Sequence, residues 1–329
     1  MPLDVRSPGV LIFTALFLLT AALGMVWLWE RYENQAHASD LELADIPFDG
    51  EQAYENLKEI CELGPRRTGS PEMKRQQDYL KAHFEKLGGE VELQEFTLRH
   101  PVSGINVPAA NLIVRWHPDR KKRVLICAHY DTRPFPDRDM RNPQGEFIGA
   151  NDGASGPALL MELGRHMGEF AGKYGVDFVL FDAEEFVFRE SDTYFLGAEH
   201  FAQSYADAVR RRTLDYRYEF GVLLDMVGDA DLRLYQERYS LKYARARPIV
   251  LDIWKTAKRL GVKEFVGQPR HWVRDDHLAL NETAKIPTCD IIDFDYPAWH
   301  TEADLPDQCS ALSLAKVGWV LHEWLKSLK

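Results

Sequence analysis

The sequence predicts an α/β fold, a three-layer α/β/α sandwich around a mostly parallel, mixed central sheet. Short β-rich runs alternate with helical patterns from residue 90 to the C-terminus. Most of those runs are apolar throughout instead of alternating, the pattern of strands covered on both faces. The 329 residues are 45% hydrophobic and 12% aromatic, which is ample material for one large core.

The elements follow in order. Ser70-Pro71-Glu72 opens a helix, with Ser as cap and Pro in the first turn, and Gly88-Gly89 stops it. Strands are predicted over 90–98, 111–116 and 123–128, a helix over 154–170, and a strand over 176–181. A helix over 197–211, a strand over 220–224 and a helix over 248–260 come next. A strand over 288–294 and an amphipathic helix over 312–328 complete the chain. No internal repeat or low-complexity segment is visible.

Ahead of this lies an uncharged apolar run over residues 9–29, preceded by Arg6. At about 1.5 Å per residue it can cross a hydrocarbon core of about 30 Å. It exceeds the usual apolar stretch of a cleavable signal, although Ala36-His37-Ala38 resembles a cleavage site, so a secreted form is the alternative. Trp27 and Trp29 fall where an interfacial aromatic belt belongs. The expected organisation is a signal-anchor helix at 1–29, a polar linker at 30–48 and one globular domain at 49–329. The expected location is the extracytoplasmic face of a membrane.

The formal net charge is −11, so the surface repels phosphate backbones and nucleic acid is not an expected partner. Cys61, Cys127, Cys289 and Cys309 form no CxxC pattern, which argues against a thiolate zinc site. They are read as buried thiols, with one or two disulfides open for an exported domain. Oligomeric state is not readable.

Polar residues gather at the carboxyl ends of the predicted strands, where ligands collect in open α/β sheets. One strand ends in Ala128-His129-Tyr130-Asp131-Thr132, and the next in Asp182-Ala183-Glu184-Glu185. A third ends in Asp225, and a fourth leads to Trp299-His300-Thr301. The loop at 149–156, GANDGASG, places Asp152 just before a helix. Singly, each has a bland explanation: a surface histidine, a helix cap, a solvated charge pair. Together they put two His and several carboxylates along one sheet edge, a donor set that suits zinc. In an adjacent Glu pair, one carboxylate can bind metal while the other handles protons, and mutual repulsion raises one pKa.

The set AHYDT, GANDGASG, DAEE, LLD and WHT, in this order and spacing, resembles the zinc-dependent exopeptidase superfamily. That group includes co-catalytic zinc aminopeptidases and glutaminyl-peptide cyclotransferases, and the match runs from about Glu51 to the C-terminus. The resemblance implies that Asp152, Glu185 and His300 hold one zinc. His129 and Asp225 would join a second zinc where one is present, with Asp152 bridging. Glu184 would be the general acid/base, and Asp131 would orient His129. The implied substrate is a peptide or protein N-terminus.

Within that group the metal residues do not choose the reaction. Arg274-Asp275-Asp276-His277 resembles the cyclase Asp-Asp-His, and Asp275 would join Glu184 and Asp225 in a proton-sharing network. Trp299 matches the cyclases' Trp-His-Thr and would wall a glutamine pocket. The stretch SDTYFLGAEHFA also resembles the cyclases. Against this, GANDGASG is closer to the aminopeptidase loop, and the tryptophan that cyclases carry after the Glu pair is missing, with Phe188 as its expected substitute. The favoured reaction is cyclisation with one zinc; the alternatives are an aminopeptidase with two and an inactive binding module.

Overall fold

The computed structural model describes residues 38–189 and 191–328. The expected membrane helix and residues 30–37 of the expected linker lie outside them, whereas 38–48 are described, and Ile46 and Phe48 there are buried in the core. Among the described residues no helix is long and apolar enough to cross a membrane.

Helix α1, Gly50–Glu62, was not expected from sequence. Asp49 caps it by accepting from the Gln52 amide, and Ala53, Leu57 and Ile60 form its buried stripe. Helix α2, Pro71–Lys86, starts as predicted, with the Ser70 side chain accepting from the Met73 amide. Strands β1 (Glu90–Arg99), β2 (Asn106–Trp116) and β3 (Lys122–His129) follow.

Helix α3, Ser155–Gly164, is shorter than the predicted 154–170. Beyond Gly164 the amides of Arg165, His166 and Met167 bond three residues back, so the helix tightens into turns. Next come β4 (Gly175–Phe181), α4 (Leu196–Arg211) and β5 (Arg217–Asp225). Two short strands, β6 (Leu234–Glu237) and β7 (Phe265–Arg270), flank α5 (Arg247–Leu260) and form a separate parallel pair. Strand β8 (Thr288–Ile292) stops two residues before the predicted end, and α6 (Ala311–Ser327) closes the chain.

The main sheet has the order β1-β2-β4-β3-β5-β8. β4/β3, β3/β5 and β5/β8 are parallel, whereas β1/β2 and β2/β4 are antiparallel. Helices cover both faces. Along β3, Val124, Ile126 and Ala128 join one core cluster with α1, α2, α3, α5 and α6, while Leu125 and Cys127 face α4 in another. The parallel strands at the centre therefore end together at one edge. All four cysteines are buried free thiols.

Candidate active site

That edge is where the expected residues meet. His129 is the last residue of β3 and Asp225 the last of β5, and their side chains lie 3.1 Å apart (Nε2 to Oδ1). Asp152 sits between two histidines. Its Oδ1 is 3.2 Å from His129 Nε2, and its Oδ2 is 3.5 Å from His300 Nε2. Glu185 Oε1 is 2.9 Å from the same His300 nitrogen. Two groups of potential ligand atoms result, His129–Asp152–Asp225 and Asp152–Glu185–His300, which share Asp152. Except for Asp225, whose side chain is 13% exposed, these residues are buried.

The donor set fits a metal ion. Asp152 Oδ2 is buried and accepts no hydrogen bond. A carboxylate oxygen so placed costs free energy unless a cation or proton meets it. Carboxylate oxygens and imidazole nitrogens at this spacing suit zinc.

The backbone is shaped to deliver these groups. Ala183, Met226 and His300 adopt positive φ of 61°, 45° and 58°. Each lies at or next to a site residue, and left-handed non-glycine backbone concentrates at functional sites. Gly153, at φ 102°, brings the Asp152 loop against the Asp131 carbonyl, where a Cβ would sit 2.4 Å from that oxygen. Asp131, expected to orient His129, has its Oδ1 3.7 Å from the His129 Nδ1, beyond hydrogen-bond distance. The two Asp131 oxygens accept the amides of Glu184 and Glu185, at 3.1 and 3.0 Å. Sequence reasoning missed Asp304, which accepts the amides of Asn151 and Asp152.

Arg133 and Asp137 were also missed. Arg133 donates to Glu185 Oε2, and Asp137 Oδ1 lies 3.1 Å from His300 Nδ1. Their signal was a charged pair in a proline-rich loop, Arg133-Pro134-Phe135-Pro136-Asp137, directly after the His-x-Asp segment.

Electrostatics separate the glutamate pair. Burial raises Glu184 well above the ordinary carboxylate range, and the neighbouring Glu185 charge adds to this. Burial also opposes ionisation of Glu185, but His300 and Arg133 outweigh it and hold that carboxyl down to about 2.

A cavity of about 530 Å³ opens onto these residues. Glu184, Asp225 and Asp275 line it alongside Phe195, Phe294 and Trp299. The Trp299 ring packs 4.6 Å from Phe294 and 4.4 Å from His300, with the Arg138 guanidinium 3.7 Å over its face. Asp275 is driven well above its usual range by burial and then by Asp225. Behind it Asp276, His277, Asp290 and Glu237 are buried together, with His277 Nε2 3.4 Å from Glu237. Asp275, His277 and Asp290 form a third converging set.

Phe188 does not take the place expected of it. It packs on His100 and Phe186, at 4.2 and 5.2 Å between ring centres, and lies outside the cavity lining. The aromatic wall beside the Glu pair is formed by Tyr194 and Phe195 instead.

The chain is similar to several known proteins. The chain is 25% identical over 264 residues to the glutaminyl-peptide cyclotransferase-like protein of Bos taurus, covering 73% of this chain and 66% of that one. Among solved structures it is similar to Fimbriiglobus ruber glutaminyl cyclase, with 42% identity, a TM-score of 0.82, and coverage of 88% and 98%. It is also similar to a leucine aminopeptidase precursor from Bacteroides thetaiotaomicron, with 32% identity, a TM-score of 0.79, and coverage of 86% and 98%. The sequence model of peptidase family M28 matches residues 111–325, which span β2 to α6 and all five convergent side chains. The chain belongs to peptidase family M28.

Proposed function

We propose that this protein is a zinc-dependent glutaminyl-peptide cyclotransferase, converting an N-terminal glutamine to pyroglutamate with release of ammonia. The observation that carries this reading is Asp275, a buried carboxyl lining the cavity beside Asp225 and Glu184 and displaced toward its protonated form. Such a group is suited to share a proton with a substrate amine. The 42% identity to a glutaminyl cyclase supports it.

In this reading Asp152, Glu185 and His300 hold a zinc ion, which supplies Lewis acidity toward the glutamine side-chain carbonyl. Trp299 and Phe294 wall the side chain so that its carbonyl faces that corner. Asp225 and Asp275 orient the α-amine. The amine nitrogen bonds to the carbonyl carbon, and the bond from that carbon to the side-chain nitrogen breaks. Glu184 takes the proton the amine loses and delivers it to the departing nitrogen, which leaves as ammonia. Its raised pKa favours this two-way role.

A second reading has its own observation. His129 Nε2 lies 3.2 Å from the other oxygen of Asp152 and 3.1 Å from Asp225, a second convergent set that would hold a second metal and suit water-driven aminopeptidase chemistry. An inactive binding module is disfavoured, because every expected ligand and Glu184 are present and converge.

The test uses the full chain purified in detergent with zinc. Peptides starting with Gln or Leu are incubated with it and followed by mass, and bound zinc is counted. Loss of one ammonia from the Gln peptide, with the Leu peptide intact, is the expected outcome. Release of free leucine would refute cyclisation as the sole activity. We also propose that residues 1–29 anchor the domain outside a membrane, on the strength of their apolar length. Recovery of the chain in the soluble fraction of lysed cells would overturn that.

A further inference from the structure

Beyond the ligands themselves, a closed ring of contacts surrounds two of them. Arg133 is buried, with its side chain 6% exposed. Its Nη1 donates to Glu185 Oε2. Its Nε and Nη2 donate to the two oxygens of Asp137, at 2.8 and 2.9 Å, a forked pairing, and Nη2 also reaches the Tyr194 hydroxyl at 3.2 Å. Asp137 Oδ1 in turn lies 3.1 Å from His300 Nδ1, and His300 Nε2 lies 2.9 Å from Glu185 Oε1. The ring runs Arg133–Glu185–His300–Asp137 and back to Arg133. His300 Nε2 thus lies between Glu185 Oε1 and Asp152 Oδ2, while Arg133 holds the other Glu185 oxygen and Asp137 stands 3.1 Å from the other His300 nitrogen.

We propose that Arg133 and Asp137 are the positioning pair for the zinc ligands Glu185 and His300, setting zinc affinity and coordination geometry. This rests on the reading of Asp152, Glu185 and His300 as zinc ligands. A histidine whose outer nitrogen donates to a carboxylate is fixed in one tautomer and ring orientation, with its inner nitrogen free to bind metal. Asp137 stands at that outer position, its Oδ1 3.1 Å from Nδ1, as an ion-pair contact not aligned as a hydrogen bond. Its own carboxylate would swing freely at the surface, being 47% exposed, without the guanidinium fork that pins both oxygens. Arg133 also engages the Oε2 oxygen of Glu185, leaving Oε1 to the His300 Nε2 side of the site. One arginine therefore aligns a carboxylate ligand directly and a histidine ligand through Asp137. The proline residues at 134 and 136 restrict the intervening backbone, so the two charged residues are presented with little freedom.

The test measures zinc binding on the full chain in detergent, by competition with a chelating dye, for wild type, Asp137→Ala, Arg133→Ala and Arg133→Lys. Loss of such outer partners typically weakens metal binding about 10–100-fold. Asp137→Ala and Arg133→Ala are expected to raise the zinc dissociation constant by that factor. Arg133→Lys is expected to recover only part, because an ammonium cannot form the fork. The cobalt-substituted Asp137→Ala protein should also show a shifted visible absorption, which reports ligand geometry rather than fold. Asp137→Ala without metal should melt with wild type. Wild-type zinc affinity in both alanine variants overturns the proposal, as does an affinity loss matched by an equal loss of metal-free stability. Should the wild-type chain itself bind no zinc, the ligand reading falls and this inference falls with it. If it binds zinc and the variants equal it, only this inference fails.

Discussion

Glu184 and Glu185 are chemically the same residue, adjacent in the chain and both buried, yet the fold gives them opposite character. Arg133 and His300 reach only Glu185 and keep it ionised, whereas Glu184 is left with burial and a like charge. Glu184→Gln is therefore expected to lower turnover of Gln peptides by about 10²–10⁴-fold. Zinc stoichiometry should be unchanged, and steady-state kinetics with metal analysis checks both. Asp275→Asn keeps the shape but removes the titrating group, so it should lower kcat by about 10²-fold or more with little change in KM. A KM effect alone would make Asp275 a binding group only. At this scale the sequence was informative where metal-binding residue types recur together at strand ends in a family's order and spacing, as with His129, Asp152, Glu185 and His300. It offered only a charged pair in a proline-rich loop for Arg133 and Asp137 and nothing for Asp304, because their roles depend on contacts with residues distant in the chain.

Strand ends and loop openings do the positioning at the level of elements. β3, β4, β5 and β8 run in one direction where they adjoin, so their carboxyl ends converge and the loops beyond them share one corner. Gly153 lets the loop before α3 press against the Asp131 carbonyl. A Cβ there meets an oxygen that cannot move without disturbing the amides of Glu184 and Glu185, and the left-handed φ adds strain. Gly153→Ala is expected to cost about 1–3 kcal/mol of stability and to weaken zinc binding, measured by denaturant titration and dye competition. The apolar strands and capped helices were legible because their signals are local. Helix α1 was overlooked although Ala53, Leu57 and Ile60 repeat at helical spacing, because most of its other positions are polar. Strand β6 has only four residues, and β7 is exposed beyond Val266 and carries Gly267 and Pro269, so neither shows a strand pattern.

At the scale of the whole molecule, a chain of net charge −11 buries an unusual set of carboxyls around one corner. Burial first, and then Asp131, raises Asp182 to about 8; burial and then Asp152 raise Asp304 to about 7. Unfolded carboxyls titrate near 4, so these groups take up protons on folding. Their stabilising contribution is fully present below about pH 4 and is lost as pH rises through about 7 to 8. The metal-free protein is expected to melt at progressively lower temperature from about pH 5 to about pH 8. Zinc supplies the missing positive charge, so its increment in melting temperature should be larger at the higher pH, as thermal unfolding with chelator or zinc will show. An increment that shrinks with pH would contradict this account.

The chain alone determined the layered α/β architecture, the edge at which the site lies, and the donor types that meet there. These follow from local periodicity and from the rule that polar residues at strand ends share an edge. Only the tertiary structure decided that Asp152 stands between two ligand groups, that Glu184 and not Glu185 is pushed toward its protonated form, and that Phe188 turns away from the cavity. It also decided that Arg133 and Asp137 close around Glu185 and His300. Those outcomes depend on distances between residues far apart in sequence, where desolvation and charge act within a few ångströms and no local pattern records them.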